Sequence, residues 1–214
     1  MTSKIINSVL KSGRTVLTEV ESKQLVAEAG ISVVETKLAQ TKAEAISMSK
    51  KMGFPVVLKI MSPDIIHKSD IGGVKLNLAN AAQVGKAYTE IMAAAKKANK
   101  KAVIQGISVQ KMARLGVEVI MGMSKDAQFG PVLMFGLGGV FVEVLKDVAF
   151  RIVPLNRRDA SQMVREIKGY PLLEGYRGQE PANITALEDL LLKLSDFVDK
   201  NPKIKEMDLN PIFA

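Results

Sequence analysis

A regular alternation of helix-start signals and short apolar runs constrains the fold of this chain more than any other sequence feature. At five places a side chain that can cap free amides precedes a Glu or Gln by three residues: Thr18/Glu21, Thr41/Glu44, Asn80/Gln83, Asp159/Gln162 and Thr185/Glu188. Nine β-branched or apolar runs are predicted as strands, at 31–34, 56–60, 74–78, 103–109, 117–121, 132–135, 141–145, 148–153 and 204–209. Nine strands with five or six helices predict an α+β or mixed α/β protein.

The chain shows no internal repeat, low-complexity segment or flexible linker over its 214 residues. We therefore predict a single domain over residues 1–214, with two tightly joined lobes that meet near residue 111. It would consist of an N-terminal helix within 1–29, a smaller lobe at about 30–110 and a larger lobe at about 111–214.

Composition excludes several kinds of site. The absence of cysteine and the presence of a single histidine exclude disulfides, thiolate nucleophiles and metal clusters built from Cys or several His residues. Any metal must be bound by oxygen atoms, which favours Mg²⁺ or Mn²⁺. The longest apolar stretch, 130–145, is interrupted by four glycines and a glutamate, whereas a membrane helix needs about 20 apolar residues. The first residues also lack the apolar segment of a secretion signal, so we expect a cytoplasmic protein without a membrane span.

Lys59 lies in the middle of the predicted buried strand 56–60. Burial of an unpaired ammonium group costs several kcal/mol, so Lys59 needs an anion or an opening to a cleft. The anion is either a neighbouring carboxylate in a structural ion pair or a phosphate group of a ligand. The strand alone does not decide between them.

A polar loop follows this strand and contains His67 and Lys68, ahead of the pair Gly72-Gly73 and the strand that starts at Val74. Adjacent glycines let backbone amides approach an anion, which is typical of loops that cover phosphates. His67 has polar neighbours in the sequence, so we interpret it as an exposed histidine that is either inert or chemically active.

A second glycine-rich segment, at 136–139, does not fit the dinucleotide-binding fingerprint, because a strand-like run and not a helix follows it. We interpret it as a tight connection between strands. Whether a ligand approaches it stays open.

Four polar residues interrupt the apolar runs of the second half. Glu118 and Glu143 each face opposite to their valine neighbours, towards either solvent or a cleft, where Glu118 could bind ribose hydroxyls. Asp208 and Asn210 lie side by side on one face of a predicted strand, and two such oxygen ligands suit Mg²⁺ that is also bound to nucleotide phosphates. A strand end with a turn at Asn210-Pro211 is the alternative.

The net charge of +8 indicates an anionic partner but does not identify it. Much of the excess lies in Lys96, Lys97, Lys100 and Lys101, which we interpret as the solvated end of a helix. A nucleic-acid-binding domain would interleave basic residues with exposed aromatics, but only 5% of the residues are aromatic and they form no such cluster. We therefore expect no nucleic-acid partner.

Taken in order, these motifs resemble the ATP-grasp β subunit of ADP-forming acetyl-CoA (acyl-CoA) synthetases, a family related to succinyl-CoA synthetase. The segments that carry the resemblance are 18–25, 30–33, 53–59, 67–74, 126–139, 149–155, 175–178 and 208–211. The resemblance that they carry extends over nearly the whole chain. The resemblance implies an ATP-grasp fold with two lobes around a nucleotide cleft.

The resemblance also implies the reaction: acyl-CoA, ADP and phosphate give free acid, CoA and ATP, and the reverse. A partner α subunit, in an α2β2 heterotetramer, would bind CoA and make the acyl phosphate, and its own histidine would deliver the phosphoryl group to the ATP-grasp site. His67, with Lys68 beside it, matches the histidine of the family's β subunit that is proposed as a second phosphoryl carrier.

By the same resemblance, Lys59 would contact the phosphates of ATP or ADP and the segment Gly72-Gly73-Val74 would cover them. Residues Gln110, Lys111 and Met112 would border adenine. Glu118 would bind ribose. Asp208 and Asn210 would hold Mg²⁺.

Related chains continue through a further strand that bears an acidic metal ligand, whereas this sequence stops at Ala214. The resemblance therefore implies a truncated end and an incomplete Mg²⁺ site. Another ATP-grasp ligase, one that joins a carboxylate to an amine, is the alternative enzyme, and it predicts a larger chain. The acyl group, the direction of the reaction and the preference for ADP over GDP are not fixed by these motifs.

Overall fold

The computed structural model describes residues 4–65, 68–114, 116–139 and 146–214. The described elements, in chain order, are α1 (Lys4–Lys11), α2 (Glu19–Glu28), β1 (Thr36–Ala39), α3 (Lys42–Met52), β2 (Val56–Met61), β3 (Val74–Leu78), α4 (Ala81–Ala98), β4 (Gly106–Lys111), β5 (Glu118–Asp126), β6 (Gly130–Leu137), β7 (Val148–Ile152), α5 (Arg157–Arg165), α6 (Tyr170–Leu173), α7 (Ile184–Lys200) and β8 (Glu206–Phe213). No helix among them is long and apolar enough to cross a membrane.

Two units share these elements. The N-terminal unit contains Ser8–Ala27 and Ser32–Ala113, and the C-terminal unit contains Met1–Asn7, Glu28–Ile31 and Arg114–Ala214. Each has one four-stranded antiparallel sheet, in the order β1-β4-β2-β3 in the first and β7-β6-β5-β8 in the second.

The sheet of the N-terminal unit has one face covered by helices α3 and α4. Val56, Leu58 and Ile60 of β2 are fully buried against these helices, because side chains alternate between the two faces of a strand. Lys59 therefore lies on the opposite face, where it is paired with Val74 of β3 in the antiparallel register. This face carries the polar residues discussed below.

The sheet of the C-terminal unit is contacted by helices α5 and α7. Its fully buried side chains include Met121 of β5 and Leu133 and Phe135 of β6, together with Met163 of α5 and Leu191 of α7. Burial of such large apolar side chains stabilises this unit.

Three of the predicted helix starts are confirmed, at Thr18, Thr41 and Asn80, where the side-chain oxygen accepts from the amide three residues on. The starts predicted at Asp159 and Thr185 are wrong. Helix α5 begins earlier, after Asn156, whose side chain accepts from the Asp159 amide while Asp159 accepts from the Asn156 amide. Helix α7 follows Asn183, whose side chain accepts from the Ala186 amide. In both cases an asparagine is the capping residue, and the Glu or Gln signal lay inside the helix.

Residues 1–29, interpreted as one helix, contain the two helices α1 and α2, with Gly13 at a φ of +76° between them. The strand predicted at 31–34 is absent from the described structure, and β1 begins at Thr36. Its partner β4 ends at Lys111, whose amide already reaches the Glu35 carbonyl, so no partner remains for 31–34. The strand predicted at 103–109 likewise begins only at Gly106, opposite Met61 at the end of β2.

Candidate functional site

Three lysines and one glutamate meet on the face of the N-terminal sheet that carries Lys59. Lys59 Nζ lies 3.4 Å and Lys23 Nζ 3.0 Å from Glu19 Oε1, and Lys68 Nζ lies 3.7 Å from Glu19 Oε2. We call Glu19, Lys23, Lys59 and Lys68 the lysine cluster. Helix α2, strand β2 and the loop that follows β2 each contribute to it. The neighbouring carboxylate that the sequence left open as a partner of Lys59 is therefore present.

The charges of the lysine cluster are largely removed from water but not balanced. The exposed fraction of the side chain is 19% for Glu19, 25% for Lys23, 26% for Lys59 and 28% for Lys68. Burial raises the pKa of Glu19, but the attraction of Lys59, Lys23 and Lys68 outweighs it and holds the pKa below its ordinary value. Burial lowers the pKa of Lys23, and repulsion from the other two lysines adds to this effect. One carboxylate facing three ammonium groups leaves two positive charges, which favour an anionic ligand.

Lys23 is also hydrogen-bonded to the sheet. Its Nζ donates to Thr36 Oγ1 and to Gln110 Oε1, each at 2.9 Å. Thr36 of β1 and Gln110 of β4 are opposite each other in the register, so both side chains lie on the Lys59 face. An ammonium group has three donors, so Glu19, Thr36 and Gln110 together satisfy Lys23. Of the predicted site residues, the structure thus brings Gln110 close to Lys59 and Lys68.

The Gly72-Gly73 pair forms a turn that holds Lys68 against β2. Gly72 has a φ of +71°, the Gly73 amide donates to the Lys68 carbonyl at 2.8 Å, and the Gly73 carbonyl accepts from Ile60 at 2.8 Å. A Cβ atom on Gly73 would lie 2.7 Å from both the Lys68 oxygen and an Ile60 methyl group, so only glycine fits. The amides of Gly72 and Gly73 already donate within the loop. Val74 then continues into β3 opposite Lys59.

The ammonium group of Lys111 lies at the end of α3 and not in the lysine cluster. Its Nζ donates to the carbonyl oxygens of Met52 and Gly53 at 3.1 and 3.0 Å, at the end of α3, where a cation is favoured by the helix dipole. The amide of Met112 donates to the Pro55 carbonyl at 3.1 Å. The structure therefore does not bring the Lys111 ammonium group into the lysine cluster.

Strand β8 of the C-terminal unit carries a row of polar residues. Glu206, Asp208 and Asn210 are exposed and alternate with the half-buried Met207 and Leu209, as the spacing predicted. Burial raises the pKa of Asp208, and the charge of Glu206 adds to this effect. The described residues contain no group of three His, Asp or Glu side chains placed to hold a metal ion. The row thus offers a carboxylate and an amide oxygen to a cation without enclosing it.

Glu118 lies beside the second glycine-rich segment in the same unit. The Gly138 amide donates to the Glu118 carbonyl at 2.7 Å, and a Cβ atom on Gly139 would lie 3.4 Å from Glu118 Oε2. The glycines therefore let the connection after β6 pass close to this carboxylate. His67, Glu143 and the strand predicted at 141–145 lie outside the described residues.

A model of the ATP-grasp domain family matches residues 8–214. The β subunits of the ADP-forming acetate–CoA ligases I and II of Pyrococcus furiosus are 50% and 49% identical to the chain, over 92% and 99% of it and over 85% and 90% of those subunits. The chain belongs to this ATP-grasp β-subunit family. An ADP-forming acetate–CoA ligase of Archaeoglobus fulgidus is 48% identical over 98% of the chain, which spans 30% of that longer protein.

Solved structures agree with this family assignment. The dinucleotide-forming acetyl-coenzyme A synthetase 1 of Ca. Korarchaeum cryptofilum, in complex with coenzyme A, Ca-AMPCP and HgCl⁺, matches with a TM-score of 0.96 and 48% identity over 98% of this chain and 92% of that chain. A complex of that enzyme with coenzyme A and Mg-AMPPCP, its phosphohistidine segment pointing towards the nucleotide binding site, matches with a TM-score of 0.87 and 45% identity over 98% of this chain and 91% of that chain. The predicted resemblance and ATP-grasp fold are confirmed.

Sequence reasoning missed Glu19 and Lys23 as members of the lysine cluster. The available signal is the i, i+4 spacing of the two residues, which is typical of an ion pair on one helix face. It did not indicate that Glu19 also contacts Lys59 and Lys68, because those contacts join residues 40 or more positions apart in the chain.

Proposed function

We propose that this chain is the nucleotide-binding, phosphoryl-transferring subunit of an ADP-forming acyl-CoA ligase, which interconverts acyl-CoA, ADP and phosphate with acid, CoA and ATP. The observation that carries the proposal is the lysine cluster, whose two unbalanced positive charges lie on a mostly buried face. Family membership supports the same assignment.

In this proposal Lys59 and Lys68 bind phosphate oxygens of ATP or ADP. Each ammonium group has three donors, and among the described residues the ionic partner of each is Glu19 alone. Charges in a partly buried site interact more strongly than in water, so these lysines would stabilise the negative charge on a transferring phosphoryl group. The Gly72-Gly73 turn contributes by holding Lys68, and Val74 by its place beside Lys59.

His67 directly precedes Lys68 in the chain, and we assign to it the phosphoryl relay. In the direction of ATP synthesis, a ring nitrogen of His67 attacks the phosphorus of a phosphohistidine on the partner, so that one P–N bond forms and the other breaks. An oxygen of the terminal phosphate of ADP then attacks the same phosphorus. The new P–O bond replaces the P–N bond of His67, whose ring nitrogen recovers its electron pair.

The row on β8 suits Mg²⁺ chemically, because Asp208 and Asn210 present exposed oxygen atoms at adjacent positions of one face. Mg²⁺, when bound there, would neutralise charge on the phosphate oxygens of the nucleotide.

The remaining site residues keep contacts with the nucleoside in this proposal. Glu118 would bind the ribose hydroxyl groups, and the segment Gln110-Lys111-Met112 would border adenine. Lys111 would take part through its backbone, because its ammonium group is bound at the end of α3.

The partner in this proposal is a CoA-binding α subunit in an α2β2 heterotetramer, which supplies the phosphohistidine, and the complex works in the cytoplasm. The β-subunit names of the Pyrococcus relatives support a separate partner chain. The coenzyme A bound to the Korarchaeum enzyme supports CoA as the thiol of the reaction.

Binding of MgADP to the parent chain and two lysine variants, followed by calorimetry, tests the proposal. We expect Lys59→Met to weaken MgADP binding about 100-fold, since a charge-assisted contact contributes up to about 3 kcal/mol. Lys75→Met is the matched control: it lies in the neighbouring strand β3 but forms an ion pair with Glu90 of α4 at 3.0 Å, and its affinity should stay within about twofold. A parent chain that binds no MgADP, or equal losses in both variants, would overturn the proposed site.

A further inference from the structure

We propose that Glu19 is a positioning residue that holds the ammonium groups of Lys59 and Lys68 in place for the phosphates of the nucleotide, with Lys23 fixing Glu19 to the sheet. This inference rests on the proposed function. It assigns to helix α2 a role in phosphate binding in addition to its role in packing.

The positions of the four side chains divide them into two pairs with different tasks. Lys23 has its three donors satisfied by Glu19, Thr36 and Gln110, so it has none left for a ligand. Lys59 and Lys68 contact Glu19 at 3.4 and 3.7 Å, and within the described ranges their ammonium groups have no other ionic partner, so donors remain for other acceptors. Lys23 and Glu19 therefore form the fixed pair, and Lys59 and Lys68 form the pair available to phosphates.

Without a carboxylate between them, three ammonium groups would repel one another. Lysine side chains have many rotamers and are strongly hydrated, so Lys59 and Lys68 would then move apart towards water. Glu19 gives both a common ionic partner, with Lys59 at Oε1 and Lys68 at Oε2. The ordering is thus completed before the nucleotide arrives, which removes that entropic cost from binding.

Neutralising Glu19 separates positioning from simple charge. Glu19→Gln raises the charge of the lysine cluster from two to three positive charges, so charge alone predicts tighter binding of a polyphosphate. Loss of positioning predicts weaker binding despite the added charge. The two effects have opposite signs in one variant.

The experiment titrates the full chain with MgADP and, separately, with inorganic tripolyphosphate, in the parent, Glu19→Gln and Glu90→Gln. Glu90→Gln is the matched control. Glu90 also forms ion pairs with two lysines, Lys75 at 3.0 Å and Lys86 at 3.9 Å, away from the lysine cluster. We expect Glu19→Gln to bind both ligands about tenfold more weakly and Glu90→Gln to stay within about twofold.

A pH series adds a measurement that a purely structural residue would not change. Glu19 faces Lys23 of its own helix, Lys59 of β2 and Lys68 of the following loop, and its charge opposes the lowering of the Lys23 pKa by burial. In Glu19→Gln the alkaline loss of MgADP affinity should therefore begin at a lower pH than in the parent. Glu19→Asp, which keeps the charge with a shorter side chain, should restore the parent pH dependence and part of the affinity, and it replaces Glu19→Gln if that variant does not fold.

Each result decides between the two levels of the proposal. A parent chain without affinity for MgADP overturns the proposed function itself. A parent that binds while Glu19→Gln binds equally well or more tightly overturns the positioning role alone. Weaker binding with an unchanged pH dependence also overturns it, because Glu19 would then stabilise the fold without acting on the lysines.

Discussion

The two units of this protein place charge on their sheets in opposite ways. In the N-terminal unit, Glu19 and three lysines face one another on a mostly buried surface, so the protein provides part of the counter-charge itself. In the C-terminal unit, Glu206 and Asp208 are exposed neighbours of the same sign on β8. A buried charge must be paired within the fold, whereas an exposed charge is hydrated and can remain unpaired until a ligand binds.

This difference also explains why the lysine cluster and the acidic pair Glu206 and Asp208 tolerate different substitutions. Substitution of Glu19 leaves three ammonium groups without their common carboxylate on a mostly buried face. Substitution of Asp208 removes a repulsion from the folded chain. Glu19→Gln should therefore lose binding and local order together, whereas substitution of Asp208 should lose binding alone.

The largest expected effect is the loss of turnover in His67→Ala, a substitution in the N-terminal unit next to Lys68 in the sequence. Incubation of the complex with labelled ATP and Mg²⁺ should place acid-labile, base-stable label on this chain, and His67→Ala should remove it. Turnover with the α subunit should fall by about a thousandfold or more, because a covalent step is missing. MgADP affinity should change by less than about threefold, since Lys59 and Lys68 remain. Turnover within a few-fold of the parent would show instead that the phosphoryl group passes directly from the partner to ADP.

A smaller effect is expected on the acidic side, for Asp208→Asn. The Mg²⁺ concentration needed for half-maximal ADP binding should rise about tenfold, because a carboxylate ligand becomes a neutral amide oxygen. The pKa of Asp208 is raised in the folded chain, so its ionised form opposes folding at neutral pH, and the variant should melt at the same or a slightly higher temperature. A lower melting temperature together with unchanged Mg²⁺ dependence would assign Asp208 to the fold and not to the metal.

The smallest effect separates Glu19 from Glu21, two residues further along the same helix. The hydrogen bond from Arg14 and those from Thr18 lower the pKa of Glu21 to about 2, from an ordinary value of 4.5. Its contribution to stability is therefore complete above pH 4.5 and is lost as the pH falls towards about 2. Glu21→Gln should lower the melting temperature by about 2–4 °C at pH 7, and the difference should shrink below pH 4. MgADP affinity at pH 7 should not change; a loss comparable to that of Glu19→Gln would contradict the separate roles of the two carboxylates.

The sequence predicted the framework well where the evidence is local. Periodicity located β2, β3 and the alternation on β8, and capping signals located three helix starts. It failed where a neighbouring asparagine capped the helix earlier, and where a strand needed a partner that had already ended at Lys111. These errors arise because local propensity does not determine which distant backbone groups are available for pairing.

The site was predicted less completely than the fold. The sequence raised both possible partners of Lys59, a carboxylate and a phosphate, and the carboxylate is Glu19, 40 positions away. The resemblance assigned Gln110, Lys111 and Met112 together to adenine, yet successive strand residues face opposite ways, and the ammonium group of Lys111 caps α3. Resemblance identifies the positions of a site, but only the register of the sheet shows which of their side chains face it.

The placement of Lys59 has a consequence for how the chain finds its correct strand alignment. The other five residues of β2 are apolar, and four of them, Val56, Val57, Leu58 and Ile60, are less than 3% exposed, so hydrophobic burial hardly distinguishes the two faces of this strand. A slip of one residue against β4 would turn Lys59 towards α3 and α4, where no water can hydrate its charge. One ammonium group thus makes the misaligned strand costly.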